Sequence, residues 1–579
     1  MAAIILVLGF YLMYPVGLLL VQSFNVARDM LVNPYDFGFG SWTIAWQTPG
    51  LFRSLWNSIL LWGLGASIAW PIALSISWTL ARARIPFSYA LEYMFWAAFM
   101  LPAVSSTIAW MFVFDPDVGM ANTLVEKLPF VDKGPFNIFS IPGIVFANLM
   151  ANGIAYIVML LTPIFRNMDA ALEEASLMAG GSQLKTALRI MFPVMAPAIG
   201  LIFVLQLIRI FQGFEIEQLL GVPFGFFTFS TMIWLLINQD IPQYAQGAVL
   251  ASVSLVVIAL VIPFQRWLVS RRRYTTISSH YKPGLVELGR WRYVVVGLIF
   301  FLIFLLTVAP VFLLLLGSFM TRAGFFNAIP TFTLDHWTAV LGSDTFRSAL
   351  KNTLILGTLA GTISPLLFSI LAYILVRTKL RGRGTLDFII WSSAATPGIL
   401  LGLGILLMFL GIPFLRVLYG SIWALIIVVV ISGNTTGTNV LKAAFLQVGP
   451  EMEEAARISG GGWVSTYIRI WIPIIMPTLV MIGTLNFVIA AGATSSIILL
   501  ATRETMPLSL LALEFASGDY GNREAAGVVS LIITFLTLGL ALVGRTFARR
   551  MSVRGDLKLQ DAIPERGRAS QDQTGAATG

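Results

Sequence analysis

The chain has 579 residues, 57% hydrophobic and 11% charged, with a mean hydropathy of +0.84. A soluble domain carries about 25% charged residues, so the composition excludes an ordinary soluble enzyme and indicates an integral membrane protein. Cysteine is absent, which excludes disulfides and cysteine nucleophiles. The two histidines, His280 and His336, lack metal-ligand spacing, and the net charge of +9 sits at the ends of apolar runs rather than in a nucleic-acid-binding patch.

The first apolar run extends from about Met1 to Phe24. It has no basic leader and is too long for a signal peptide. Tyr14-Pro15-Val16 and Ser23-Phe24 recur in the second half of the chain as Ala309-Pro310-Val311 and Ser318-Phe319. The same constant offset joins Trp42 to Trp337, Asn57 to Asn352, Arg82 to Arg377 and Pro102 to Pro397. A cleaved leader would not be repeated mid-chain, so a retained transmembrane helix is expected. Further runs near Asn57–Leu80, Tyr89–Phe114, Ile144–Phe165, Pro193–Phe211 and Gly247–Leu268 each approach the roughly 20 apolar residues of a spanning helix. They recur near Arg292–Phe319, Asn352–Val376, Leu386–Leu410, Ser421–Phe445, Pro473–Ile489 and Ala526–Phe547. The pattern predicts an all-α membrane protein of about twelve transmembrane helices, arranged as two parallel six-helix repeats.

Between the fourth and fifth runs of each half lies a polar stretch with its own internal spacing. Glu173-Glu174-Ala175-Ser176 leads to Gly180, and nine residues then precede Ile190, with Pro193 three further on. The second copy is Glu453-Glu454-Ala455-Ala456, Gly460, Ile470 and Pro473, spaced identically at the corresponding place in the second half. Asp169 can cap the first helix and Pro450 suits the first turn of the second, with the glutamates favoured at the positive end of the helix dipole. Gly180 and Gly460 permit the positive φ that ends a helix, and Pro193 and Pro473 stand where a new helix would begin.

This arrangement resembles the EAA loop of binding-protein-dependent ABC importer permeases of type I, in which Glu-Ala-Ala, three residues, Gly, nine residues, Ile, one residue and Leu-Pro form a cytoplasmic coupling helix. The departures are Ser176, Phe192 and Ile472. The resemblance implies the type I importer transmembrane fold and assigns ATPase coupling to Glu173, Glu174, Ala175, Gly180 and Pro193, and to Glu453, Glu454, Ala455, Gly460 and Pro473. It implies two copies of a separate ABC ATPase at the cytoplasmic face and an external substrate-binding protein. Phe214-Glu215-Ile216 followed by Leu219-Leu220-Gly221-Val222-Pro223 looks most like the ferric-iron-type permeases with fused halves. Related fused permeases serve thiamine, phosphonates, polyamines and other small solutes.

Charge orients the chain. Arg82, Arg84, Arg166, Lys185, Arg189, Arg271–Arg273, Arg377, Arg383, Arg545 and Arg549 fall on one side of the expected topology, which the positive-inside rule makes cytoplasmic, with both termini. A multi-pass protein of a bacterial inner membrane is expected. The halves are read as 1–270 and 292–554, joined by a linker at 271–291 and followed by a disordered tail at 555–579. The first half alone carries an extra polar stretch around Asp115–Gly143.

No Gly-x-x-x-x-Gly-Lys-Ser/Thr motif, no catalytic triad and no metal constellation occurs, so neither catalytic residues nor a resident cofactor are expected. The one chemically odd run is the fifth. Gln206, Arg209, Gln212 and Glu215 recur every third residue and read as one ridge on a helix. Charge within a membrane is costly, so the ridge reads as a translocation-path lining, as a tether between Arg209 and Glu215, or as the outer mouth. The corresponding positions of the second half include Asn486 and Ser495, which makes the expected path asymmetric. A rival reading from another class is an ion-coupled secondary transporter, in which Glu215 would carry the relay.

Overall fold

An apolar run inside a bilayer finds no water for its backbone and must close its hydrogen bonds internally. The computed structural model describes all residues except 1, 28–35, 167–169, 271–285, 327, 395, 450, 518–520 and 563–579. The capping roles expected of Asp169 and Pro450, and most of the linker, lie outside the described residues. Those described form helices joined by turns, with three isolated β-bridges. Two of the bridges, Asn25 with Phe37 and Met320 with Phe332, are the same feature at matching positions of the two repeats.

Among the described residues, eight helices are long and apolar enough to cross a membrane, or eleven if each of three bent pairs is one crossing. The 27-residue helix Tyr244–Ser270 takes the place of the sixth expected span. The unbroken spans include the first (Ile4–Gln22), second (Leu51–Arg82), eighth (Asp344–Arg377), tenth (Ile422–Gln447), eleventh (Trp463–Ala491) and twelfth (Arg523–Ala548).

Three spans depart from the straight helices expected. The third breaks into Ser88–Phe99 and Ala103–Phe114 at 91°, and the ninth into Arg383–Ser393 and Gly398–Gly411 at 111°. The breaks fall at Pro102 and Pro397, because proline lacks the N–H and disfavours helical geometry in the residue before it. The fourth, Ile141–Ala151 with Ile154–Arg166, bends by 43° at a π turn.

Pro193 and Pro473 correct another expectation. Each lies just after a π turn, Ala187–Met191 or Tyr467–Trp471, inside a helix that has already begun. Phe192 N–H bonds Ala187 O, and Ile472 N–H bonds Tyr467 O, so the widened turn precedes the proline that has no N–H to give.

The two halves interlock. The first span packs on Gly398–Gly411 of the second half, where a Cβ on Gly404 would lie 2.8 Å from Pro15 O. The end of the seventh span, Ala309–Phe319, packs in the same way on Ala103–Phe114 of the first half. Outside the bundle centre, Asp115 is buried and pairs with Arg523, tying the first half to the start of the twelfth span. The last helix runs to Ala562, into the stretch expected to be disordered from residue 555. Helix propagation from an anchored span costs little per residue, whereas nucleation would not occur there unaided.

Candidate translocation cavity and coupling loops

Between spans five and six the chain does not simply leave the bundle. The helix Phe192–Ile208 ends in a 3₁₀ turn at Arg209–Phe211, and a short helix, Glu215–Leu220, then folds back with Leu219 and Leu220 fully buried. Trp62 donates its indole N–H to Gln206 O at 2.9 Å and fixes the end of the fifth span against the second. Phe229 N–H donates to Ser58 Oγ at 2.9 Å and fixes the next helix, Phe229–Ile237. Asn57 reaches Phe227 O at 2.7 Å, and its repeat partner Asn352 reaches Glu504 O and Met506 O at 2.8 and 3.1 Å. The paired asparagines therefore serve as ties between segments.

These turns enclose a cavity of about 530 Å³. Gln206, Arg209, Gln212 and Glu215 all line it, although they do not form a ridge on one helix. Helical spacing fails there because the α-helix stops at Ile208, and the residues reach one cavity through three successive turns. Arg209 and Glu215 do not pair with each other. The Arg209 guanidinium lies 4.7 Å over the Tyr156 ring. Glu215 Oε1 accepts from the Thr494 hydroxyl and, at 3.4 Å, from Ser495 N–H.

The Ser495 contact locates the cavity. Ser495 is the counterpart of Glu215 in the second repeat, at the offset that separates the two coupling loops. Equivalent residues of two related halves can touch each other only at the axis that relates them. The cavity therefore lies on the pseudo-two-fold axis. Its charged walls come from the first half, whereas the second half contributes hydroxyls such as Ser393, Thr396, Ser432, Thr494 and Ser496. The broken spans open onto it through Pro102 and Gly398, matching the rule that irregular backbone at membrane depth lines a cavity or is buried in protein.

Asn486 is not part of this wall. Leu485, Val488, Ile489 and Gly492 form the cavity-facing stripe of the eleventh span, and Asn486 lies roughly 110° round the helix from it. It is buried, bonds Ile482 O at 3.1 Å, and packs against Gly433 of the tenth span.

The two loops expected to couple to an ATPase are built alike. Helices Ala170–Met178 and Glu451–Ile458 end at Gly180 and Gly460, both with φ of +79°, and nothing lies within 4 Å of a Cβ placed on either. Within each Glu-Glu pair the roles divide. Glu173 and Glu453 turn inward and are buried, while Glu174 is half-buried and Glu454 exposed. Ala175 and Ala455 are exposed. Burial pushes the Glu173 carboxyl above the ordinary glutamate value, against the opposing pull of Arg82. Met178 and Ile458 occupy the same position in their loops and are 89% and 88% exposed, so each loop presents one bare apolar side chain at the same place.

Residues 366–553 match the family described as binding-protein-dependent transport system inner membrane component. Over 382 residues the chain is 27% identical to the ferric transport system permease protein FbpB of Actinobacillus pleuropneumoniae, covering 65% of this chain and 54% of the relative. It is also 27% identical over 354 residues to a putative ferric transport system permease protein, FbpB 1, of Haemophilus influenzae, covering 60% and 54%. The second half of the chain thus carries this family's domain, and the chain resembles ferric-type permeases. A further permease, the probable ABC transporter permease protein y4fN of Sinorhizobium fredii, is 22% identical over 514 residues, covering 86% of this chain and 88% of that one. The chain spans about half the length of the two ferric relatives it matches.

One polar residue of the cavity escaped the three-residue spacing. Glu217 is buried in the cavity wall, accepts from Asn148 Nδ2 at 3.1 Å, and lies where a Cβ on Gly213 would approach its Oε1 to 2.8 Å. The pair Glu215-Ile216-Glu217, two carboxylates in three residues shortly after Gly213, was the available signal. Thr494 carried none beyond belonging to the hydroxyl run Thr494-Ser495-Ser496.

Proposed function

We propose that this chain is the transmembrane subunit of an ATP-driven importer and passes a small solute through the cavity on its pseudo-two-fold axis. The observation that carries the reading is the Glu215–Ser495 contact, which puts a polar, two-half cavity where a shared path must cross. Gln206, Arg209, Gln212, Glu215 and Ser495 line that path in this reading, with Glu217 and Thr494 added. Two ATPase copies dock on the loops bearing Glu174, Gly180, Glu454 and Gly460, supported by the bare Met178 and Ile458 at equivalent positions. The loops, the linker and both termini are cytoplasmic, and a binding protein delivers solute from outside. Residues 1–270 and 292–554 act as the two permease halves.

Ferric iron is the proposed solute. Two relatives are named ferric transport permeases, and the carboxylate, amide and hydroxyl oxygens of the cavity are the hard donors such an ion prefers. The test is reconstitution in proteoliposomes with an ABC ATPase and a substrate-binding protein from the same organism. ATP-dependent accumulation of radiolabelled ferric iron is expected, and none by the chain alone. Gradient-driven uptake without an ATPase would overturn the importer reading, and ATP-driven uptake of another solute in place of iron would overturn the choice of iron.

A further inference from the structure

We propose that the two coupling loops are tethered to their own halves by unlike anchors, Arg82 for the first and Tyr373 for the second, and that transport depends more steeply on the arginine. The proposal rests on the docking reading above. The second and eighth spans are repeat equivalents, so Trp78 corresponds to Tyr373 and Arg82 to Arg377. The two positions are four apart and share one helix face.

In the first half, Trp78 gives its indole N–H to Met191 Sδ at 3.4 Å. The inward glutamate of the loop falls to Arg82, whose Nε lies 3.2 Å from Glu173 Oε1, with both side chains almost wholly buried. In the second half, Tyr373 donates its hydroxyl to Glu453 Oε1 at 3.0 Å. Arg377 is thereby released for other contacts. It donates to Phe445 O at 2.6 Å and to Val448 O at the end of the tenth span, and lies 4.7 Å over the Trp471 ring. Trp471 is itself the counterpart of Met191. Two equivalent positions have thus changed together while the arginine is kept and changes partners, and the same loop glutamate is held in both halves by different chemistry.

The two anchors should respond differently to loss. Removing Arg82 strands a carboxylate in a dry site, where an uncompensated charge is severely unfavourable. Removing the Tyr373 hydroxyl leaves Glu453 with Arg457, which holds it at 2.7 Å from an exposed position. Arg82 acts through Glu173 and the loop, so it is a positioning residue.

The permease has no cysteine, so single cysteines for spin labels can replace Met178 or Ile458 without background. The full chain would be studied in nanodiscs for label mobility, and with its ATPase and binding protein for uptake. Arg82→Gln should loosen the label at 178, leave that at 458 unchanged, and reduce uptake by ~10-fold or more. The double variant Arg82→Gln, Glu173→Gln should return uptake to within about threefold of wild type, because no charge is left buried. Tyr373→Phe should stay within about threefold of wild type, as expected for one neutral hydrogen bond. An unmoved label at 178 would overturn the proposal, as would a double variant no better than the single, or Tyr373→Phe as damaging as Arg82→Gln. Should Arg82→Gln not reach the membrane, the double variant decides: recovery of membrane level supports the anchor and its absence refutes it. Failure of the ATPase to co-purify with the unaltered chain would refute docking alone, since label mobility is read without it.

Discussion

Replacing Glu215 by alanine removes a side chain that the first half extends across the axis to Thr494 and Ser495. The bond from the Thr494 hydroxyl is charge-assisted, a class worth about 1.5–3 kcal/mol. The Ser495 amide, at 3.4 Å, sits at the limit of hydrogen-bond geometry and adds little. Glu215 is only partly buried, so water can replace some of what is lost and the lower figure applies. About 1.5 kcal/mol corresponds to a ~10-fold shift between the state in which the halves are joined at the axis and the state in which they part. The assay is a double-mutant cycle on ATP hydrolysis by the reconstituted complex without binding protein. Glu215→Ala and Thr494→Val should each raise this unstimulated rate by ~10-fold, and the pair together no further, because both remove the same bond. Independent effects that multiply to ~100-fold would refute the idea that the contact latches the axis, and so would single variants that behave as wild type.

Two other outcomes follow from the backbone and the Asp115–Arg523 junction. At Gly180 and Gly460 the space around a Cβ is open, so only the positive φ resists substitution, at about 1–2 kcal/mol per position. Asparagine, which tolerates that region, should therefore retain more uptake than the smaller alanine at either position; alanine matching glycine in uptake would show that the turn is not required. Breaking the buried Asp115–Arg523 pair with Asp115→Asn should lower thermal stability by about 1–3 kcal/mol, discounted for the partial exposure of Arg523, and Arg523→Gln should cost no less because it strands Asp115. Unchanged melting of both variants in detergent would count against the pair as a tie between the halves.

The local rules of the chain were written in its sequence. Length and hydropathy fix where helices cross, because a lipid-embedded backbone has no other way to satisfy its hydrogen bonds. The paired glutamates, the glycine and the proline fix the coupling loops, since a positive φ and a missing N–H are properties of single residues. The prolines at 102 and 397 even marked the breaks, although the apolar runs through them read as continuous. What lay beyond reach was every feature set by contacts between segments far apart in the chain. The period of three that joined Gln206 to Glu215 was real, yet it described a cavity wall made from three turns rather than a helix face. Asn486 has the repeat position of a path residue and the helical phase of a buried one, and only packing against Gly433 decides between them. The division of each Glu-Glu pair into an inward and an outward member depends on Arg82 and Tyr373, which stand two spans earlier in the chain, and Glu215 meets Thr494 only because the two halves close on a common axis.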